Sequence, residues 1–84
     1  MIKVKILPKA LKVLERLPRS TQQRVVSAID LMAQDPLVKA KKLTNQPGYR
    51  RRVGDYRILF IYSRRLSLVI IARIAHRKDA YRNS

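Results

Sequence analysis

The chain has 84 residues, with 20 Lys and Arg against 5 Asp and Glu, a formal net charge of +15, and no cysteine. That length makes one small domain with a modest core. The composition excludes disulfides and thiolate metal sites. A lone histidine and five scattered carboxylates offer no convincing metal ligands, so no metal or cofactor is expected. No segment approaches the roughly 20 apolar residues of a membrane span. Met1 leads at once into apolar–basic alternation without a separate apolar signal stretch, so a cytoplasmic protein with no membrane partner is expected. A charge of this size points first to nucleic acid, and behind it to an acidic protein or an anionic surface.

Ile2 to Ile6 alternates apolar and basic residues, the pattern of a half-buried strand. Pro8 suits the first turn of a helix, and Ala10, Val13, Leu14 and Leu17 follow with helical spacing. Leu17-Pro18 breaks that helix. Ser20 to Gln23 reads as a capping box with Ser20 at the N-cap, opening a second helix striped by Val25, Val26, Ile29, Met32 and Ala33. Asp35-Pro36 ends it. Residues 37–48 read as a connecting loop carrying Lys39, Lys41 and Lys42, either a solvated loop or a rim that steers phosphate.

Three strands are then predicted, over residues 49–53, 56–63 and 66–74. Gly54-Asp55 suits a two-residue hairpin turn that pairs Val53 with Tyr56 and Arg52 with Arg57. Four arginines fall within the nine residues from Tyr49 to Arg57. Alternation puts Arg50, Arg52 and Arg57 on one face and Ile58, Phe60 and Tyr62 on the other, under the helices. Arg51 falls on the apolar face and is expected to snorkel outward from the strand end. The last strand is apolar on both faces, and a one-residue slip would move Arg73 between core and arginine face. The element order is β-α-α-β-β-β. The fold class is α+β, a mostly antiparallel twisted sheet with a two-helix hairpin packed on one face.

Like charges opposite each other destabilise a sheet, so the arginine cluster implies an anion. Nine of the twelve arginines lie beyond Gly48, whereas seven of the eight lysines precede it. Guanidinium grips phosphate through two parallel hydrogen bonds, so the C-terminal half is where specific phosphate contact is expected. The tail His76-Arg77-Lys78-Asp79-Ala80-Tyr81-Arg82 emerges near the end of the sheet that carries Arg57. Arg50, Arg52, Arg57, His76, Arg77 and Tyr81 together suit RNA cleavage without a metal, since the 2′-hydroxyl is its own nucleophile. Fixed cations would stabilise the phosphorane, and a tyrosine can stack on an unpaired base. Taken singly, His76 is a capping residue, Tyr81 a packing residue and Arg50 to Arg52 a solvated face. Lys39, Lys41, Lys42, Arg73 and Arg82 are candidate RNA-binding residues.

The run G-Y-R-R-R-V-G-D-Y-R-I-L and the ending A-H-R-K-D-A-Y-R resemble the RelE/ParE toxin superfamily, more closely its RelE-like mRNA-cleaving branch. Weaker likenesses are A-L-K-V-L-E-R-L-P in the first helix, Ala33 to Pro36 after the second, and Lys42-Leu43. The resemblance implies the toxin of a type II toxin–antitoxin pair that cleaves mRNA in the ribosomal A site, leaving a 2′,3′-cyclic phosphate and a 5′-hydroxyl. It implies an acidic RelB-like antitoxin, the ribosome and mRNA as partners, and operator DNA only through the antitoxin complex. Arg50 and Arg52 match a catalytic lysine pair, Arg57 and Arg77 match phosphate-contacting arginines, and Tyr81 matches a tyrosine that stacks on or orients substrate. His76 stands where relatives carry His or Lys.

Arginine is a poor proton acceptor, so the replacement of both lysines moves the expected general base to His76 or Tyr81. The sequence stops three residues after Tyr81, where relatives often continue into a helix displaced by the antitoxin. Inhibition is then expected to work by covering the basic face. Two other readings are a ParE-like, non-nucleolytic gyrase poison, and an RNA- or ribosome-binding module without chemistry.

Overall fold

A computed structural model describes residues 2–78. Strand β1 (Lys3–Ile6) leads into helices α1 (Pro8–Arg16) and α2 (Arg19–Met32), followed by strands β2 (Ala40–Lys42), β3 (Tyr49–Val53), β4 (Tyr56–Ser63) and β5 (Leu68–His76). The strands form one sheet in the order β1-β5-β4-β3-β2. β1 runs parallel to β5, and the other three pairings are antiparallel. The architecture is the α+β arrangement expected, with one strand more.

That extra strand is β2, inside the stretch read as a loop. Ala40, Lys41 and Lys42 pair with Arg51, Arg50 and Tyr49. Three residues, two of them lysine, are too short and too polar to announce a strand by periodicity. They suit an edge, where charge discourages further pairing. Lys39 enters β2 with φ 55°, a left-handed backbone that turns the chain sharply into the edge.

Pro8 does sit in the first turn of α1. The second helix begins differently from expectation. Pro18 holds the N-cap position with extended backbone, no side chain caps the helix, and the first helical bond runs from the Gln22 N–H to the Pro18 carbonyl. Ser20 already lies inside the helix, too late to cap it. The Gln22 side chain instead donates to the Leu14 carbonyl at 3.0 Å, bracing the end of α1. The helix stops at Met32, before Asp35.

The core lies between the helices and one face of the sheet. Ala10, Leu14, Leu17, Val25, Ala28, Ile29 and Met32 meet Val53, Ile58, Phe60, Val69, Ile71 and Ile74. Tyr49 and Phe60, opposite each other on β3 and β4, stack at 5.7 Å. The register of β5 resolves through a bulge: Leu59 pairs with Arg73 but Phe60 pairs with Ile71, leaving Ala72 unpaired. Strict alternation from Val69 and Ile71 would carry Arg73 under the helices. The extra residue puts Ile74 there and returns Arg73 to the open face, opposite Leu59. The strand also starts and ends two residues later than predicted, after a four-residue turn over Arg64–Ser67 in which Ser67 takes φ 49°.

Arg51 corrects another expectation. It is 6% exposed, and its Nη1 donates to the Ala28 carbonyl in the last turns of α2 at 3.3 Å. The guanidinium does not snorkel out. It turns inward to a carbonyl in the body of α2, which satisfies one of its donors away from solvent.

Candidate phosphate-binding cleft

The hairpin tip fixes the site. Gly54 has φ +59° and Asp55 has no positive φ, the pattern of a type II′ turn, whose twist matches that of the strands it joins. Val53 then pairs with Tyr56 and Arg52 with Arg57. Beyond the tip, the Arg77 N–H donates to the Asp55 carbonyl at 2.7 Å, which extends the β4–β5 ladder past Tyr56 and His76. The β3–β4 tip and the end of β5 therefore lie side by side at one end of the sheet.

An open cleft of about 330 Å³ occupies this end, lined by Arg52, Gly54, Tyr56, Arg57 and Arg77. Arg57 is buried, while Arg52 and Arg77 are exposed. Among the described residues, the side chains of Arg50, Arg52, Arg73 and Arg77 make no hydrogen bond or ion pair. Three arginines thus line one cleft. A bound phosphate would meet several N–H donors at once, and a phosphorane with its extra negative charge would gain more than the ground state does.

The surrounding face continues the same charge. Lys41, Arg50, Leu59 and Arg73 stand in one row across β2, β3, β4 and β5. The next row, toward the tip, is Arg52, Arg57 and Ala75. Rows on one face lie about 7 Å apart along a strand. Of the three lysines, only Lys41 shares this face. Lys42 pairs with Tyr49 and alternates to the helix side, and Lys39 precedes the strand.

His76 stands elsewhere. It pairs with Tyr56, and their rings meet edge to face at 5.2 Å. Its Nδ1 accepts the Lys78 N–H at 3.3 Å, which in a neutral ring leaves the proton on Nε2. It does not line the cleft directly. Tyr81 and Arg82 lie outside the described residues. The structure therefore gathers Arg52, Arg57 and Arg77 into one cleft, with Arg50, Arg73 and Lys41 on the adjoining face.

Tyr56 and Arg24 escaped the sequence reading. Tyr56 follows the turn directly, so its pairing with Val53 was visible, but its place in the cleft wall was not. Arg24, exposed on α2, reaches the Gly54 turn, and a contact between elements this far apart has no sequence signature.

The family model describing the ParE toxin of type II toxin–antitoxin systems (parDE) matches residues 4–81. The chain belongs to this toxin family, within the RelE/ParE superfamily. Among solved structures it is similar to the RelBE2 toxin–antitoxin complex of Mycobacterium tuberculosis, at 28% identity over 90% of this chain and 98% of that one, with TM-score 0.80. A RelB–RelE antitoxin–toxin complex from Methanococcus jannaschii matches at 25% identity over 92% and 94% of the two chains, with TM-score 0.74. The intact RelBE complex of E. coli shares the fold at 16% identity, 90% and 96% coverage and TM-score 0.80. No curated protein sequence matches this chain. It is a type II toxin–antitoxin toxin, and similarity to toxins in complex with RelB-type partners supports an antitoxin as its partner.

Proposed function

We propose that this toxin is a ribosome-dependent endoribonuclease that cleaves mRNA in the A site by attack of the 2′-hydroxyl on the adjacent phosphate. The observation that carries the reading is the cleft in which Arg52, Arg57 and Arg77 meet. In the reaction the 2′-oxygen bonds to phosphorus and the bond from phosphorus to the 5′-oxygen breaks. The products are a 2′,3′-cyclic phosphate and a 5′-hydroxyl. Arg52 and Arg57 hold the non-bridging oxygens, Arg50 adds charge from the neighbouring row, and Arg77 stabilises the charge on the leaving 5′-oxygen, which takes its proton from water. Tyr81 stacks on or orients the substrate. The proton acceptor comes from Tyr81, or from His76 once its Nδ1 is released from the Lys78 N–H, since arginine keeps its proton. Lys41 and Arg73 guide the strand across the sheet face, with Lys39, Lys42 and Arg82 at its margins.

The site is rich in charge and sparse in acid–base groups. That balance suits an enzyme to which the ribosome supplies substrate geometry, so cleavage of naked RNA is expected to be weak. An acidic RelB-like antitoxin silences the toxin by covering the cationic face, and operator DNA is met only through that complex. The site of action is the cytoplasm, where mRNA is translated. The test is expression of the chain followed by mapping of 5′ ends on ribosome-bound mRNA.

The match to the ParE family model favours a second reading, a non-nucleolytic toxin that poisons DNA gyrase. A supercoiling assay separates the two. Inhibition of gyrase without new RNA ends selects the second.

A further inference from the structure

Arg24 lies outside every strand of the cationic face, yet its guanidinium rests on the turn that forms one wall of the cleft. A methyl group built on Gly54 would stand 3.1 Å from Arg24 Nη1, 3.7 Å from Cζ and 3.9 Å from Nη2. Gly54 itself lines the cleft together with Arg52, Arg57 and Arg77. Arg24 does not itself line the cleft; its guanidinium lies next to the glycine turn that does, beside the position a Gly54 side chain would take.

The reach of Arg24 follows from how α2 is anchored. Arg24 and Ala28 are four residues apart and share a helix face. Ala28 accepts the buried Arg51 side chain from β3. Two residues further along β3 comes Val53, and then the Gly54 turn. The Arg51 bond therefore holds α2 along β3, so that one helical turn nearer the tip Arg24 meets Gly54. Among the described residues, Arg24 makes no hydrogen bond or ion pair, and none joins it to Asp55 in the same turn. An exposed cation is instead placed at a turn shared with the arginine-lined cleft, where an anion bound nearby would attract it.

We propose that Arg24 is a further RNA-binding residue, which holds a phosphate neighbouring the one gripped by Arg52, Arg57 and Arg77 on the same single strand. The inference rests on the reading of the cleft as a phosphate site. It gives α2 a part in substrate binding and makes the cleft a site for two successive phosphates. Gly54 then serves both the turn and the approach of Arg24.

The test is binding of a single-stranded oligoribonucleotide with 2′-O-methyl groups, which cannot be cleaved, across a salt series. Arg24→Ala is compared with Arg64→Ala. Arg64 lies in the turn at the far end of β4 from Tyr56, about 25 Å along the strand, and its loss removes the same charge. Arg24→Ala is expected to weaken binding about five- to tenfold and to flatten the slope of log K against log salt by about 0.7. Arg64→Ala should change both far less. Arg24→Lys should restore the slope but only part of the affinity, because ammonium is a point charge. If the parent protein binds and Arg24→Ala matches Arg64→Ala in affinity and slope, the Arg24 inference fails and the cleft stands. If the parent protein shows no salt-dependent binding, or binds equally well without Arg52 and Arg77, the phosphate reading of the cleft fails and takes this inference with it.

Discussion

Replacing Arg52 with Gln should stabilise the fold while disabling the toxin. Arg52 lies directly across from Arg57, which is 4% exposed, and Arg77 borders the same cleft. Backbones at opposed positions are about 5 Å apart, and long side chains can splay their charges to about 8 Å. With an effective dielectric of about 40, between that of water and that of near-surface pairs, two such charges repel by about 1 kcal/mol. Solvent around Arg52 trims this, so about 0.5–1 kcal/mol is the expected gain. For a chain of this length that is a rise of about 3–6 °C in melting temperature. The assay is thermal unfolding of both proteins at low and at high salt. At about 1 M salt the screening length falls to about 3 Å, and the two melting temperatures should converge. Growth arrest by the variant should fall by at least about tenfold if, as proposed, Arg52 donates to the transition state. An Arg52→Gln protein that melts at or below the parent at low salt would refute the repulsion argument. So would a difference that persists unchanged at high salt.

Gly48 has φ +113°, and a methyl group there would stand 2.9 Å from the Phe60 carbonyl oxygen. Gly48→Ala is therefore expected to cost about 2–4 kcal/mol by denaturant unfolding, from backbone strain together with the clash. Two single-residue deletions test the register of β5. Deleting Ala72 removes the bulge but keeps Ile71 opposite Phe60 and Arg73 opposite Leu59, so the chain should still melt cooperatively, at a cost of about 1–3 kcal/mol. Deleting Ile70 instead turns Val69 out of the core and should cost at least about 3 kcal/mol or abolish folding. The opposite ranking would contradict the assigned register. His76→Gln tests the proton acceptor through a pH–rate profile on ribosome-bound mRNA. Loss of the acid-side limb is expected if His76 is the base, since a base must be deprotonated to act, whereas full activity with an unchanged profile assigns the role away from it.

Alternation and turn chemistry made the arginine hairpin legible. Gly54-Asp55 set the pairing, and period two then put Arg50, Arg52 and Arg57 on one face and Ile58 and Phe60 on the other. What remained hidden involved residues whose partners come from another element. Arg51 was correctly assigned to the apolar face, but its partner is a carbonyl of α2, which strand periodicity cannot reveal. Arg73 needed the bulge, and β5 is apolar on both faces, so neither register stood out in its sequence. Lys41 joined the cationic face through a three-residue edge strand too short to be read. Ser20 looked like a cap because the motif is local, yet Pro18 already fixed an extended residue at the N-cap and its carbonyl opened the ladder.

The helices and the sheet divide labour along the chain. Apolar stripes on α1 and α2 cover one face of the sheet. The other face is left to cations that destabilise one another. Such an arrangement persists where an anion relieves it, and an acidic antitoxin can do so as well as RNA. Both would then compete for one surface, and antitoxin binding should raise the melting temperature with concentration.

The most direct measurement is mapping of RNA 5′ ends after induction of the toxin in growing cells, with and without assembled ribosomes in a parallel reaction. The proposed activity predicts new 5′-hydroxyl ends inside translated codons, dependent on ribosomes and lost in Arg52→Ala and Arg77→Ala. Growth arrest with no new RNA ends, or cleavage undiminished in both variants, would contradict it.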